Sequence, residues 1–238
     1  MKIKAVIFDL DDTLVSEYAF VKSGFNAVAK YLTACENSAF KVFTGVDSAV
    51  LSQEFLALFD ESARNVFNRF LDAHGVTGYT GDDVFSLVKV YREHEIDREI
   101  YRPYDDVEPF LFALKDRGIA AGILTDGFAV SQRNKIKTLG FDVHPAIKAT
   151  VVTAERGEGW AKPSAKGFEL LCDELDVKPQ EMMYVGDNPK KDFYISRNIP
   201  IKTVRIIRGG GVYENATYFE NVKEDHRIEK LEELYAFI

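Results

Sequence analysis

Residues 3–13 read IKAVIFDLDDT, an apolar run that ends in a cluster of carboxylates. Short runs rich in Ile, Val and Phe that stop at polar residues are typical of buried parallel strands that lead into a loop. In open α/β sheets, ligands bind beyond the carboxyl ends of the strands. Asp9 and Asp11 would lie there, and carboxylates so close together repel each other unless a cation neutralises them or they serve chemistry. On this motif alone, the alternative to a functional site is an acidic turn that has only a structural role.

Similar apolar runs recur later in the chain, at residues 119–124, 149–152, 182–185 and 201–206. Helical periodicity separates the later runs and predicts helices over residues 107–117, 131–139 and 163–175. Gly118 and Gly140 are stop signals after helices, and Pro163 is favoured at a helix start. The alternation predicts an α/β fold, in which right-handed crossovers build a parallel sheet with helices on both faces.

Residues 16–102 interrupt this alternation, because they contain no convincing strand. Apolar residues recur there at helical spacing over residues 17–32, 48–59, 62–71 and 82–94. We therefore expect an all-helical domain at 16–102, inserted into a core made of 1–15 and 103–238. The phenylalanines of the insert are expected to form its own core: Phe20, Phe25, Phe55, Phe67 and Phe70.

The composition excludes several classes of partner. The 238 residues include 30 Lys+Arg and 38 Asp+Glu, a net charge of −8, which argues against nucleic acid and anionic membranes but not against a small anionic substrate. Cys35 and Cys172 are far apart and suggest neither a disulfide framework nor a zinc site. The first apolar run is too short for a signal peptide, and no apolar stretch could span a membrane. We expect a cytoplasmic protein and leave open whether it is a monomer or a dimer.

Three further motifs follow predicted strands or precede a predicted helix. Thr125, Asp126 and Gly127 follow the second strand, and Lys162 lies just before a helix, where anions bind favourably. The segment from Gly186 to Asp192 follows another strand and supplies two more carboxylates. Each motif is weak or moderate alone, but their order along the chain makes a strong joint signal.

Together these motifs resemble the haloacid dehalogenase (HAD) superfamily of phosphoryl-transfer enzymes. Residues 6–13 match its first motif, hydrophobic residues followed by DxDxT, and Thr125 matches the Ser or Thr of its second. Lys162 matches the lysine of the third, and residues 186–192 match GDxxxxD. The resemblance implies a Rossmann-like sheet of five strands in the order 5-4-1-2-3, and residues 16–102 resemble the helical cap of the C1 type.

The resemblance also implies a role for each matched residue. Asp9 would attack phosphorus and form an aspartyl-phosphate, while Asp11 would act as general acid and then as general base. Asp9, the backbone carbonyl of Asp11, and Asp187 would hold Mg²⁺. Groups that would hold the phosphate are Thr125, Lys162 and backbone amides at Leu10, Asp126 and Gly127. Asn188 and Asp192 would support these residues, with Asp192 orienting Lys162 or a metal-bound water, and Asp12 would be structural.

The acid at position 11 favours phosphoryl transfer over dehalogenation, because members of the family that release halide lack an acid at this position. The sequence therefore favours a Mg²⁺-dependent phosphatase that acts on a small phosphorylated metabolite, of the sugar phosphate or nucleotide class. The alternatives are a phosphomutase of the beta-phosphoglucomutase type and a non-catalytic regulatory protein on the same fold. Candidate contacts to the leaving group, which could equally be solvated faces of helices, are Glu17, Tyr18, Lys22, Arg64 and Arg69.

Overall fold

The computed structural model describes residues 2–238, which form two compact units. One unit combines the described residues up to Glu17 with Tyr101–Ile238, and the other is Tyr18–Ile100. The α-helices in the described part of the chain are α1 (Glu17–Ala34), α2 (Ser48–Glu61), α3 (Val66–Ala73), α4 (Gly81–Glu93), α5 (Val107–Asp116), α6 (Ala129–Thr138) and α7 (Lys166–Leu175). No helix within residues 2–238 is long and apolar enough to cross a membrane.

A parallel sheet of six strands forms the centre of the first unit. The strands are β1 (Ala5–Phe8), β2 (Ala120–Thr125), β3 (Ile147–Val152), β4 (Met182–Gly186), β5 (Lys202–Ile206) and β6 (His226–Ile228), in the order β3-β2-β1-β4-β5-β6. The α/β class and the order of the first five strands are confirmed. The expected number of five strands is wrong, because β6 pairs with β5 at the edge. With only three residues, His-Arg-Ile, β6 is too short and too polar to show an apolar run.

Both faces of β1 are covered by helices. Successive side chains of a strand point to opposite faces. Ile7 belongs to a buried cluster with Phe168 of α7, while the ring of Phe8 packs edge-on against Phe110 of α5, with centroids 6.3 Å apart. Double-sided burial explains why the strand is a continuous apolar run and why its first polar residue, Asp9, marks its end.

The second unit consists of helices and connecting loops, without a strand in its described residues, and has a core rich in aromatic rings. Phe55 lies at its centre, stacked on Phe70 with centroids 3.9 Å apart and on Phe25 at 5.3 Å. Helix α3 begins at Val66 rather than at the predicted residue 62, because Asn65 has a left-handed backbone with φ 51°. That this unit acts as a cap stays a prediction.

We predict that Phe55→Ala destabilises the second unit by about 3–5 kcal/mol, since it removes a fully buried ring and leaves a cavity. Phe85→Ala is the matched control, because the Phe85 ring is 63% exposed and its loss should change the free energy of unfolding by no more than about 0.5 kcal/mol. Urea unfolding followed by far-UV circular dichroism measures both. Equal effects of the two substitutions would contradict the assigned core.

Candidate active site

The candidate catalytic residues lie at the carboxyl ends of three adjacent strands. Asp9 and Asp11 follow β1, Thr125 ends β2, and Asp187 follows β4. Because β2, β1 and β4 are parallel neighbours, their carboxyl ends meet at one edge of the sheet. A cavity of about 220 Å³ opens there, lined by Asp9, Asp11, Glu17, Asp126, Gly127, Asp187, Asn188, Lys191 and Tyr213.

Lys162 joins two of the carboxylates in the interior. Its Nζ lies 2.9 Å from Asp9 Oδ1 and 2.9 Å from Asp192 Oδ1, and it donates to the hydroxyl of Tyr184 at 2.7 Å. An ammonium has three N–H groups, so these three oxygens can satisfy all of them. Burial alone would lower the pKa of Lys162, but Asp192 and Asp9 raise it above its ordinary value. Lys162 is therefore a fixed positive charge beside Asp9.

Asp192 is the fully buried support of this lysine. The Tyr184 hydroxyl donates to Asp192 Oδ1 at 3.0 Å, and the backbone N–H of Asn188 donates to Asp192 Oδ2 at 2.9 Å. Gly186 allows this approach, since a Cβ at that position would collide with the Asp192 carboxylate. Asp192 thus fixes both Lys162 and the loop after β4.

Asp9 and Asp187 are carboxylates whose charge is only partly compensated. Burial raises the pKa of Asp9, although Lys162 and Lys191 oppose the rise. Burial, followed by the charges of Asp192 and Asp9, raises the pKa of Asp187 to about 9. The charge of Lys191 opposes this rise without cancelling it, so the negative charge of an ionised Asp187 is only partly compensated.

A divalent cation fits this surplus of negative charge. Asp9, Asp187 and Asp192 each offer a carboxylate oxygen, and the three oxygens lie within 4.8 Å of one another. Hard cations such as Mg²⁺ prefer such oxygen ligands. Because both oxygens of Asp192 already accept hydrogen bonds, Asp9 and Asp187 are the better candidates for direct ligands.

Asp11 lies apart from this acid cluster and is held by helix α6. Its Oδ1 is 2.7 Å from Lys135 Nζ, and its Oδ2 accepts a hydrogen bond from Gln132 Nε2 at 2.9 Å. The same Gln132 nitrogen donates to the hydroxyl of Thr125 at 2.8 Å. One helix therefore connects the predicted acid–base group to a predicted phosphate ligand.

Asp126 and Asp12 bind neighbouring loops. Asp126 Oδ1 accepts from the Thr153 hydroxyl at 2.7 Å, and Asp126 Oδ2 pairs with Lys191 at 3.3 Å. The Asp12 carboxylate accepts the backbone N–H of Glu17 at 2.9 Å and that of Val212 at 2.8 Å. Both side chains thus organise the rim of the site.

Several polar residues of the site are not specified by the sequence motifs. Gln132 and Lys135 occupy one face of α6, and Tyr184 lies within the apolar run of β4. Lys191 lies inside the fourth motif at a position that the motif leaves open. The sequence does mark Gln132, Lys135 and Tyr184, because each is a polar residue at a position that the periodicity assigns to the core.

The suggested leaving-group contacts divide between the units. Glu17 lines the cavity. Lys22 and Arg64 are exposed, and the Tyr18 hydroxyl donates to Asp60 at 3.4 Å within the second unit. Arg69 donates to the carbonyl oxygens of Leu58 and Ser62 at the end of α2. Arg69 therefore has a structural contact in its own unit, whereas Glu17 lies in the unit that holds the candidate catalytic residues.

Comparisons with known proteins define the family. A family model of haloacid dehalogenase-like hydrolases matches residues 3–193. The chain is 27% identical over 236 residues to a glyceraldehyde 3-phosphate phosphatase from Methanocaldococcus jannaschii, covering 98% of this chain and 95% of the relative. A protein of the same name from Methanopyrus kandleri is 31% identical over 207 residues, covering 87% of this chain and 85% of the relative.

Solved structures share the fold over the whole chain. The protein YfnB of Bacillus subtilis, described as a HAD-hydrolase and crystallised with bound magnesium, superposes with a TM-score of 0.68 at 18% identity, covering 99% of this chain and 98% of that one. The matched family model defines a hydrolase. The chain belongs to the haloacid dehalogenase-like hydrolase family, as its motifs imply.

We predict that Glu17 makes stability depend on pH. Burial, with the charge of Asp11 adding to it, raises the pKa of Glu17 from its ordinary 4.5 to about 7. The folded protein keeps this proton between these values while the unfolded chain has lost it, so this contribution to stability falls as the pH rises from about 4.5 to about 7. Glu17→Gln removes the titration and should flatten the pH dependence.

Urea unfolding across this pH range, followed by the fluorescence of the single tryptophan, Trp160, measures the difference. Glu174→Gln is the matched control, because Glu174 is exposed on α7 of the same unit. Parallel pH curves for wild type and Glu17→Gln would contradict the raised pKa.

Proposed function

We propose that this protein is a Mg²⁺-dependent phosphatase that hydrolyses a small phosphomonoester, of the sugar phosphate or nucleotide class, through an aspartyl-phosphate intermediate. The observation that carries the proposal is the buried ion pair of 2.9 Å between Asp9 and Lys162 at the end of β1, beside Asp187. The glyceraldehyde 3-phosphate phosphatases similar to this chain support the reaction class, a phosphoric monoester hydrolase, and a small phosphorylated substrate.

The reaction assigned to these residues has two steps. In the first, a carboxylate oxygen of Asp9 attacks phosphorus, the bond from phosphorus to the leaving oxygen breaks, and Asp11 donates a proton to that oxygen. In the second, water attacks phosphorus and gives its proton to Asp11, and the bond from phosphorus to Asp9 breaks. Each step leaves Asp11 in the form that the next step requires.

The transferred phosphoryl group needs donors on its oxygens. Lys162 supplies a positive charge, and Thr125 supplies a hydroxyl at the end of β2. The backbone amides of Leu10, Asp126 and Gly127 would complete the cradle. Gly127 has φ 127°, a conformation that L side chains rarely adopt, so a glycine is required where the chain turns around the phosphate.

Asp9, Asp187 and the backbone carbonyl of Asp11 would hold the Mg²⁺. When bound, the ion would neutralise the crowded carboxylates so that an anionic phosphate can approach Asp9. Asn188 and Asp192 would keep the loop after β4 in place. Magnesium bound to YfnB, which shares the fold, supports this choice of metal.

The helical unit Tyr18–Ile100 is proposed to act as the cap of this enzyme. Its aromatic core is formed by its own residues, so substitutions on its surface can change substrate recognition without disturbing that core. The leaving group would be recognised by residues after the first motif, and Glu17 is a candidate because it lines the cavity. A carboxyl group at that position can hydrogen-bond a leaving group that carries hydroxyls.

We predict that Asp9→Asn abolishes phosphate release, because an amide cannot act as the nucleophile. Phosphate release from a panel of phosphorylated metabolites, with Mg²⁺ and with EDTA, measures this. Asp116→Asn is the matched control, since Asp116 is exposed at the end of α5, and it should keep full activity.

Activity above a few percent in Asp9→Asn would remove Asp9 as the nucleophile. No release by wild type from any member of the panel would refute the phosphatase. Paired sugar phosphates should also be tested, because isomerisation without release would identify a phosphomutase.

We predict that Asp187→Asn weakens Mg²⁺ binding without unfolding the protein. With its pKa near 9, the Asp187 carboxyl of the metal-free protein is mostly protonated at neutral pH, so an amide of the same shape should be tolerated. Mg²⁺ should stabilise wild type by about 2.7 kcal/mol at a hundred times its dissociation constant, and much less in the variant.

Thermal unfolding with increasing Mg²⁺ and no substrate measures this binding independently of activity. Asp142→Asn, at an exposed site of the same unit, serves as the control. An unchanged Mg²⁺ shift in Asp187→Asn would exclude Asp187 as a ligand.

A further inference from the structure

Helix α6 places two polar side chains against Asp11. Gln132 and Lys135 are one helical turn apart, so they share a face of the helix. Only 2% of Gln132 and 4% of Lys135 is exposed, although glutamine and lysine are rarely buried. An apolar residue at either position would serve packing better, so packing alone does not explain them.

The contacts hold both oxygens of the Asp11 carboxylate. Lys135 Nζ lies 2.7 Å from Oδ1, and Gln132 Nε2 lies 2.9 Å from Oδ2. Because each oxygen contacts a different residue, these contacts fix the orientation of the carboxylate. A carboxylate oxygen has two acceptor positions, so one on each oxygen stays available for a proton in transit.

Gln132 also links Asp11 to the proposed phosphate cradle. The same Nε2 lies 2.8 Å from Thr125 Oγ1 and 2.6 Å from the carbonyl oxygen of Asp126, so its two N–H groups are shared among these oxygens and Asp11 Oδ2. Gly127 makes room for this amide, because a Cβ there would lie 3.1 Å from Nε2.

The amide orientation follows from its neighbours. The Asp11 carboxylate and the Asp126 carbonyl can only accept, so the nitrogen must face them. The Gln132 Oε1 is left buried without a hydrogen-bond partner within residues 2–238, an arrangement unfavourable for stability. Because this arrangement of Gln132 does not favour stability, we infer that the residue has a functional role.

We propose that Gln132 and Lys135 are positioning residues that hold the Asp11 carboxyl in line with the leaving oxygen of the substrate. This inference rests on the proposed function. As the bond from phosphorus breaks, its electron pair stays on the leaving oxygen, which takes the proton of Asp11. Lys135 stabilises the carboxylate that results, and Gln132 keeps it beside the phosphate for the proton of the attacking water.

The leaving group offers a test that separates positioning from structure. An alkoxide needs a proton to leave, whereas p-nitrophenolate is a stable anion and leaves without one. The value of kcat/KM reports only the steps up to departure of the leaving group. Loss of Asp11 positioning should therefore lower kcat/KM for an alkyl phosphate and spare p-nitrophenyl phosphate, which uses the same phosphate cradle.

The experiment compares p-nitrophenyl phosphate with the alkyl phosphate that wild type hydrolyses best. In Lys135→Met and Gln132→Met, the kcat/KM for the alkyl phosphate should fall about 10²-fold more than that for the nitrophenyl ester. Lys135→Arg should recover part of the loss, because it restores the charge. Lys137→Met is the matched control, since Lys137 is exposed on the same helix, and it should change neither substrate.

Equal losses for both esters, or no loss for either, would overturn the positioning role. If Lys135→Met does not melt cooperatively, Gln132→Met decides by the same criterion. Wild type that hydrolyses neither ester would instead refute the phosphatase itself, so the two failures are distinguishable.

Discussion

The structure of the site depends on one constraint, which is that several carboxylates are crowded at the ends of adjacent strands. Removing an ion from water costs several kcal/mol, so a buried acid needs a partner. Three lysines supply partners to these acids: Lys162 to Asp9 and Asp192, Lys135 to Asp11, and Lys191 to Asp126. Asp187 pairs with none of these lysines, and its pKa of about 9 records the deficit. A metal ion would therefore fit beside Asp187 and Asp9, where the lysines leave negative charge uncompensated.

The backbone makes this pairing possible. Parallel strands bring the ends of β2, β1 and β4 together, and the N–H of Asp9 donates to the carbonyl of Val185 at 2.8 Å, which aligns the two central strand ends. Glycine admits side chains that a Cβ would obstruct: at Gly186 a Cβ would collide with Asp192, and at Gly127 it would crowd Gln132. Charge pairing and backbone geometry thus involve the same few residues, so a substitution at one of them is expected to disturb the contacts of the others.

Local patterns in the sequence predict much of this arrangement. The apolar runs and their spacing predicted the first five strands and their class, because a strand buried on both faces must be apolar throughout. They missed β6, whose pairing depends on β5 rather than on its own composition. The four motifs predicted which strand ends would meet. Gln132, Lys135 and Tyr184 were not predicted: the sequence marks them only as polar residues at core positions, and their partners are set by the tertiary fold.

The support around Asp11 bears on which reaction the site favours. Halide leaves as a stable anion, so an enzyme that only displaced halide would gain nothing from a carboxyl fixed beside the leaving group. Alkoxide release does require a proton, and general acid catalysis supplies about 10²–10⁴ in rate when the acid is within hydrogen-bond reach. Two buried residues hold Asp11 here, one of them with an unsatisfied carbonyl oxygen. Such an arrangement is explicable for a leaving group that must be protonated, which favours phosphate esters of alcohols over halides.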